Sequence, residues 1–268
     1  MVMPEEYSQR DFAQGPRTYT DSAFLDTIFI ATKLAEFKGS ALVVDFMSGP
    51  GKVASGIKER VSGHRYVALD GSVGLLRKIA DPELERVVGD IRATPLKPNS
   101  VDIGIVRYGI KDIPEEQQLD VLRQIYESLK PGGKLVIADM VSPEGAREWN
   151  NKQHSQKQQF SGRNIETEGE CNIPTENEWL TLLREIGFET EVFGYYTSYV
   201  TTTDWVNGRQ ITDKQRQLMD KLLLNTPDEI KTAFNIRQEE EDVRIDYPVI
   251  IIKAVKPKTE SGGVYVAE

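Results

Sequence analysis

Acidic residues and glycines follow two apolar runs of the sequence at a spacing that suits a nucleotide-like ligand. The first run, ALVVDF, contains Asp45 and is followed by Gly49 and Gly51 before a helical pattern begins. Glycine lets the backbone approach a ligand closely, and the start of a helix offers free N–H groups. A second run, RYVALD, ends in Asp70, 19 residues after Gly51, where a carboxylate can accept both hydroxyls of a ribose. This pattern predicts a nucleoside site, although a plain tight turn with Asp70 as a helix cap fits the same residues.

Three kinds of ligand come into question for this turn. A phosphate-binding P-loop needs GxxxxGK followed by Ser or Thr, and it is excluded because Val53 follows Lys52 and the earlier glycine is missing. A nicotinamide dinucleotide stays open, since GPGKVA fits G-x-G-x-x-A. Asp45 would then face a pyrophosphate with a negative charge. The same carboxylate suits a ligand that carries an amino group or a sulfonium.

Short apolar runs supply the elements that must position these residues. Each is followed by turn residues and a helical pattern, and its apolar residues do not alternate with polar ones. The runs cover residues 41–46, 66–70, 86–90, 101–106 and 134–141. Strands of this kind are covered on both faces, so the sequence predicts an α/β fold with a Rossmann-like, doubly wound parallel sheet. Ligands of such sheets bind at the carboxyl ends of the strands.

The remaining sequence divides into three parts. Residues 1–40 are expected to form an N-terminal lid and an amphipathic helix, and residues 41–257 form the main domain. Between strand candidates at 191–200 and 247–255, residues 203–246 are too long for a hairpin loop and predict a helical insertion. Residues 258–268 are expected to be a mobile tail.

From about Leu42 to Met140 the sequence resembles the class I S-adenosylmethionine-dependent methyltransferases. The family's first motif is an acidic residue at a strand tip followed by alternating glycines, and VVDFMSGPG is similar to it at Asp45, Gly49 and Gly51. The sequence departs from the motif at Met47, where the family usually has glycine. The run LKPGGKLVIADM is similar to the family's late motif around the fifth strand.

This resemblance implies S-adenosylmethionine as the cofactor and a seven-stranded sheet. Asp70 matches the family's ribose-binding acidic residue. Asp90 in VVGDI matches the residue expected to bond the adenine amino group, with Ile91 beside the ring. The cofactor contacts expected from the resemblance are Asp45, Met47, Gly49, Gly51, Asp70, Gly71, Asp90, Ile91 and Arg107.

A narrower likeness concerns the acceptor of the methyl group. VRYGIKDI is similar to the aromatic-Gly-aliphatic-Arg-Asn run of ubiquinone and menaquinone C-methyltransferases, with Lys111 and Asp112 in place of Arg and Asn. The ordinary alternative is a strand end with Asp112 as the cap of the next helix. Tyrosines follow in EVFGYYTSYV, where aromatic residues either line a pocket or only pack in a strand. We expect substrate contacts from Tyr108, Lys111, Tyr195 and Tyr196.

His154 is the candidate general base, because its ordinary pKa lies near neutrality. It follows the fifth strand in EWNNKQHSQKQQFSGRN, where the family commonly builds its acceptor pocket. The alternative is a solvated histidine on a polar helix, which the surrounding Lys and Gln residues favour.

The composition excludes several classes of function. The formal net charge of −9 disfavours nucleic acid and acidic membranes as partners. Cys171 is the single cysteine, and the acidic run at 239–242 lacks the spacing of metal ligands, so we expect no metal. The first residues lack a signal-peptide pattern, and no apolar run approaches the roughly 18 residues of a membrane span. A cytoplasmic protein with a small-molecule substrate is therefore expected.

The sequence thus predicts an enzyme that methylates a carbon or oxygen atom of a small molecule. Two alternatives stay open. One is an NAD-dependent oxidoreductase, and the other is a methyltransferase-like domain that binds the cofactor without transferring a methyl group.

Overall fold

A computed structural model describes residues 39–206 and 211–258, and its centre is a mixed sheet of eight strands. The strands are β1 (Leu42–Phe46), β2 (Arg65–Asp70), β3 (Glu85–Val88), β4 (Val101–Arg107), β5 (Leu129–Met140), β6 (Glu189–Thr201), β7 (Arg237–Glu239) and β8 (Asp242–Val255). Their order is β3-β2-β1-β4-β5-β8-β6, with β7 also paired to β8. The first five strands are parallel, and β8 runs antiparallel to β5 and β6.

The predicted Rossmann-like α/β fold is confirmed, but the expected count of seven strands differs from the eight observed. The difference is β7, which pairs three residues with the start of β8. A run of three residues is too short to carry a strand pattern that a sequence could reveal.

Helices cover both faces of the sheet and its carboxyl edge. They are α1 (Lys52–Arg60), α2 (Val73–Leu76), α3 (Glu115–Ser128), α4 (Arg147–Phe160), α5 (Ile165–Glu168), α6 (Glu176–Ile186), α7 (Thr202–Val206), α8 (Asp213–Leu224) and α9 (Asp228–Ala233). Two short 3₁₀ turns, Ile91–Ala93 and Ile110–Asp112, follow β3 and β4. Local sequence explains these bounds: α3 begins after Pro114 with two acidic residues in its first turn, and a capping box at Thr175 opens α6.

Three apolar clusters hold these layers together. On one face of the sheet, Leu122 of α3 and Trp179 of α6 pack against Phe46. On the other face, Ile57 of α1 packs against Val43 and its neighbours. The third cluster lies beneath α7, α8 and α9 and includes Trp205 and Phe234. Burial on both faces is why the central strands read as continuous apolar runs.

The part of the chain predicted as an insertion, residues 203–246, contains most of α7, then α8, α9 and β7, and the first five residues of β8. The predicted lid and helix of residues 1–40 lie outside the described residues except for Gly39 and Ser40, and so does the predicted tail except for Lys258. In the two described stretches, no helix combines the length and apolar character needed to cross a bilayer.

A crevice lies at the point of the sheet where the connections between strands change direction. Successive crossovers lead from β1 to β2 and then β3 on one side, whereas β4 lies on the other side of β1. At such a switch point the loops after neighbouring strands separate, and the carboxyl ends of those strands become accessible.

Candidate functional site

The turn after β1 is held against β2 by hydrogen bonds. The Gly49 N–H donates to Oδ2 of Asp70 at 2.7 Å, and the Ser48 N–H donates to the Leu69 carbonyl at 3.0 Å. Gly49 and Gly51 adopt positive φ angles of 54° and 67°. A Cβ at Gly51 would lie only 2.9 Å from Cδ1 of Ile79, so this position requires glycine for packing as well as for conformation.

Met47 also has a positive φ, of 54°. This left-handed conformation favours glycine, which explains the family preference at this position. The Met47 side chain lines the crevice and packs against the backbone of Gly109.

Asp45 lies behind this turn rather than in the crevice. Its side chain is buried, and its Oδ2 accepts a hydrogen bond of 3.2 Å from the Ala54 N–H in the first turn of α1. Burial raises the pKa of Asp45 to about 7, with the neighbouring Asp70 adding to the rise and the Ala54 N–H opposing it. The carboxyl group thus fixes the start of α1 from within the fold.

One end of the crevice is built from the loops after β2 and β3, and it includes Gly71, Ser72 and Ile91. Asp70 lines this end, and each of its oxygens holds a backbone N–H at 2.7 Å, from Gly49 and from Ser72. A carboxylate in the crevice wall is an acceptor for the hydroxyl groups of a ligand. This arrangement fits the two adjacent hydroxyls of a ribose.

Asp90 also lines this end, paired with a residue that sequence reasoning missed. Its oxygens accept hydrogen bonds of 2.7–3.0 Å from the guanidinium of Arg92, and Oδ1 also accepts the Arg92 N–H. Burial acts to raise the pKa of Asp90, but the hydrogen bonds and charge of Arg92 outweigh it and lower the pKa. The signal was a basic residue two positions after the acidic one.

The other end of the crevice lies beside the 3₁₀ turn after β4. It is lined by Met47, Tyr108, Gly109, Asp112, Ile113 and Gln158. The Tyr108 hydroxyl lies 2.9 Å from that of Tyr196, and the Arg107 guanidinium lies 4.5 Å from the centre of the Tyr108 ring. Burial raises the pKa of Tyr108 well above its usual value, so this phenol stays neutral.

Asp112 connects this end of the crevice to a buried polar cluster. Its carboxylate contacts Lys111 at 2.8 Å, His154 at 3.3 Å and Gln158 at 3.2 Å. Burial acts to raise the pKa of Asp112, but the charge of Lys111 and the hydrogen bond from His154 hold it well below its usual range. Asp112 therefore stays ionised.

His154 is buried in this cluster, so the solvated histidine considered above is wrong. The polar residues around it on α4 face inward with it, including Asn150 and Gln158. Burial, and then the charges of Lys111 and Lys157, lower the pKa of His154 to about 3. The imidazole is therefore neutral and a weak base, and it is not among the residues that line the crevice.

Asp112, His154 and Cys171 each offer an atom that can ligate a metal, and the three atoms lie within 4.8 Å of one another. A cation already lies among them, because the Lys111 ammonium is 2.8 Å from Asp112 and 3.2 Å from His154. The arrangement is that of an ion pair extended by hydrogen bonds.

The structure separates the expected site residues into two groups. Those that line the crevice are Met47, Gly49, Asp70, Gly71, Asp90, Ile91 and Tyr108. Among the residues described, Asp45, Gly51, Arg107, Lys111, Tyr195 and Tyr196 do not line it. Tyr195 lies on the outer face of β6, where its hydroxyl donates to Glu176 and this bond raises its pKa to about 12.

Comparison with known proteins gives matches to methyltransferases. A model of the methyltransferase domain matches residues 43–133. The demethylmenaquinone methyltransferase of Renibacterium salmoninarum is 32% identical over 103 residues, which are 38% of this chain and 42% of that protein. The ubiquinone/menaquinone biosynthesis C-methyltransferase of a Ruegeria species is 30% identical over 105 residues, 36% of this chain and 41% of that protein. The aligned part spans less than half of either relative.

Solved structures with a similar fold cover most of the chain. A Bacillus halodurans protein proposed to be a methyltransferase superposes with a TM-score of 0.75 at 22% identity, over 86% of this chain and 99% of that one. The 4+2 cyclase SpnF gives a TM-score of 0.60 at 15% identity, over 91% and 88% of the two chains. The geranyl diphosphate C-methyltransferase of Streptomyces coelicolor, solved with S-adenosyl-L-homocysteine, gives 0.54 at 13% identity, over 88% and 79%. At these identities the likeness concerns the fold alone.

Proposed function

We propose that the chain is a class I S-adenosylmethionine-dependent methyltransferase that methylates a small-molecule acceptor, which its matched domain and its fold support. The observation that carries this proposal is a crevice at the switch point of the sheet with carboxylates at both ends. Asp70 and Asp90 stand at one end, and Asp112 stands at the other.

The residues at the first end suit the nucleoside of S-adenosylmethionine. Asp70 lines the crevice with a carboxylate that can accept the ribose hydroxyls, and its bonds to the Gly49 and Ser72 N–H groups hold it in place. Asp90 lies one strand further along the sheet, and its carboxylate would meet the adenine amino group by giving up one of its hydrogen bonds from Arg92, with the apolar side chain of Ile91 beside the ring. Asp45 would act on the methionine portion only through the turn that it supports.

S-adenosylmethionine, when bound, supplies a methyl group on a positively charged sulfur. Methyl transfer is an in-line displacement that depends mainly on alignment and on the exclusion of water. Positive charge develops on a neutral acceptor as it is methylated. Asp112 is a fixed negative charge at the acceptor end, and such a charge favours the transition state over the ground state.

We infer that the methylated atom is a carbon or oxygen of a small aromatic or quinone-like molecule. The local similarity to quinone C-methyltransferases supports this class, as do the names of the relatives matched. The buried Tyr108 at the acceptor end adds an aromatic, neutral wall.

Equilibrium dialysis of the whole chain against labelled S-adenosylmethionine and against NAD(H) tests the cofactor. We expect binding of the first and not of the second. Incubation with S-adenosylmethionine and reduced 1,4-naphthoquinone, followed by mass spectrometry, is expected to give S-adenosylhomocysteine and a product heavier by one methylene. Binding of NAD(H) alone would overturn the proposal.

A second candidate function is binding of the cofactor without methyl transfer. The observation in its favour is Met47, whose side chain replaces open space in the crevice wall and packs against Gly109. The 4+2 cyclase SpnF gives a precedent for other chemistry on this fold. This candidate predicts cofactor binding without S-adenosylhomocysteine formation over a broad panel of phenols, amines and reduced quinones.

A further inference from the structure

The two oxygens of the Asp112 carboxylate have unequal numbers of hydrogen-bond donors. Oδ1 faces His154 Nε2 at 3.3 Å, Gln158 Nε2 at 3.2 Å and Cys171 Sγ at 3.8 Å. Among residues 39–206 and 211–258, Oδ2 is contacted only by the Lys111 ammonium, at 2.8 Å. Because each carboxylate oxygen offers about two acceptor positions, Oδ1 is saturated and Oδ2 keeps one position.

The same carboxylate is the exposed member of its cluster. The Asp112 side chain is 27% exposed and lines the crevice, whereas the side chains of Lys111 and His154 are 7% and 3% exposed. A ligand in the crevice can therefore reach Asp112 but not the groups behind it. The unused acceptor position on Oδ2 is the one that remains for a ligand.

The carboxylate is held in place from two sides. From one side, Asp139 at the end of β5 accepts the Ile110 N–H at 2.9 Å and the Lys111 N–H at 3.4 Å, which fixes the 3₁₀ turn. From the other side, α4 brings His154 and Gln158, one helical turn apart, onto the same oxygen. This double support holds the carboxylate of Asp112 against rotation.

His154 fixes the pair in either of its neutral forms. With the proton on Nε2, the imidazole donates to Asp112; with the proton on Nδ1, its Nε2 accepts from the Lys111 ammonium at 3.2 Å. In the first form the imidazole supports Asp112 directly, and in the second it supports Asp112 through the Lys111 ammonium.

We propose, on the basis of the proposed function, that Oδ2 of Asp112 accepts a hydrogen bond from an O–H or N–H group of the methyl acceptor, with His154 as the positioning residue of that carboxylate. The acceptor is thus a molecule that presents a donor beside the atom to be methylated. The role of Asp112 is to bind and orient this donor and to face the developing positive charge.

A matched pair of ligands tests the requirement for a donor. Binding of 1,4-naphthohydroquinone, kept reduced under anaerobic conditions, is compared with that of 1,4-dimethoxynaphthalene, whose ring is the same but whose oxygens carry no proton. Both are titrated by calorimetry into the whole protein loaded with S-adenosylhomocysteine. We expect the hydroquinone to bind at least tenfold more tightly, as a charge-assisted hydrogen bond implies.

Variants test whether Asp112 and His154 cause the tighter binding of the hydroquinone. Asp112→Asn removes the charge with little change of shape and is expected to reduce the preference about tenfold, while Asp120→Asn, on the exposed surface of α3, leaves it unchanged. His154→Leu is expected to lower the preference similarly, and His154→Gln, which keeps an N–H donor and a carbonyl acceptor, to restore most of it. Affinity for S-adenosylhomocysteine stays within twofold of wild type in all of them.

The outcomes separate this inference from the proposed function. If the wild type binds S-adenosylhomocysteine but has no preference for the hydroquinone, or if Asp112→Asn keeps the full preference, the inference is overturned while the function stands. If His154→Gln behaves as His154→Leu does, His154 is not the positioning residue. Loss of S-adenosylhomocysteine binding by the wild type would instead contradict the proposed function. Should His154→Leu not fold, the His154→Gln and Asp112→Asn results still decide the matter.

Discussion

The Asp70→Asn substitution gives the most direct measure of the nucleoside end. The amide has the shape of the carboxylate but no charge, and one of its two polar atoms becomes a donor. A hydrogen bond to a charged acceptor contributes about 1.5–3 kcal/mol, and a neutral one about 0.5–1.5 kcal/mol. For two ribose hydroxyls the expected loss is about 2 kcal/mol, which corresponds to a roughly 30-fold higher Kd for S-adenosylmethionine.

The backbone contacts of Asp70 make this a lower bound. Its two oxygens hold the N–H groups of Gly49 and Ser72, each at 2.7 Å, and an amide can accept only one of them. The glycine turn would loosen with the loss of the other bond.

Isothermal titration of S-adenosylmethionine into wild type and variant measures the effect. Asp102→Asn is a matched control, because Asp102 also accepts a backbone N–H, from Leu42 at 2.9 Å, but lies at the amino end of β4 away from the crevice. We expect the control to keep its Kd within twofold. An Asp70→Asn variant that binds as tightly as wild type would refute the assignment of Asp70 to the ribose.

Two further predictions concern stability. Burial raises the pKa of Asp45 from 3.8 to about 7, so the stability contributed by its protonated form is present below pH 4 and lost as the pH rises through 7. Between pH 4 and pH 8 the unfolding free energy of the wild type should fall by up to about 4 kcal/mol more than that of Asp45→Asn. Urea titrations of both proteins at the two pH values measure this difference. Gly51→Ala should destabilise by about 1–3 kcal/mol more than Gly63→Ala in urea unfolding, because both have positive φ but only at Gly51 would the Cβ collide with the core. An equal loss of unfolding free energy in the two variants would show that the core accommodates the added Cβ at position 51 without strain.

Sequence patterns indicated the lining residues at the Asp70 end of the crevice better than those at the Asp112 end. The first depend on local sequence, whereas the second depend on contacts between distant parts of the chain. Asp70 and Asp90 stand directly after apolar runs, and the carboxyl edge of a parallel sheet brings such residues together. Asp112 depends on His154 and Cys171, which lie 42 and 59 residues away along the chain. Nothing in the periodicity of α4 indicates that its polar side chains face inward, because such residues are usually solvated.

The two adjacent tyrosines of β6 lie on opposite faces of the strand. Tyr195 and Tyr196 were both expected to contact the substrate, yet neighbouring side chains of a strand point to opposite faces. Tyr196 accordingly contacts Tyr108, while Tyr195 points outward and bonds Glu176. Strand geometry alone forbids a shared pocket for such a pair, so this part of the expectation could have been refined from the sequence.

The residues around the crevice come from two parts of the chain that differ in their sequence similarity to other proteins. Residues 43–133, which the methyltransferase domain matches, supply the nucleoside end and Asp112 itself. The helix that immobilises Asp112 begins only at Arg147. Replacing α4 would therefore remove the support of Asp112 and leave the loops that carry Asp70 and Asp90 in place.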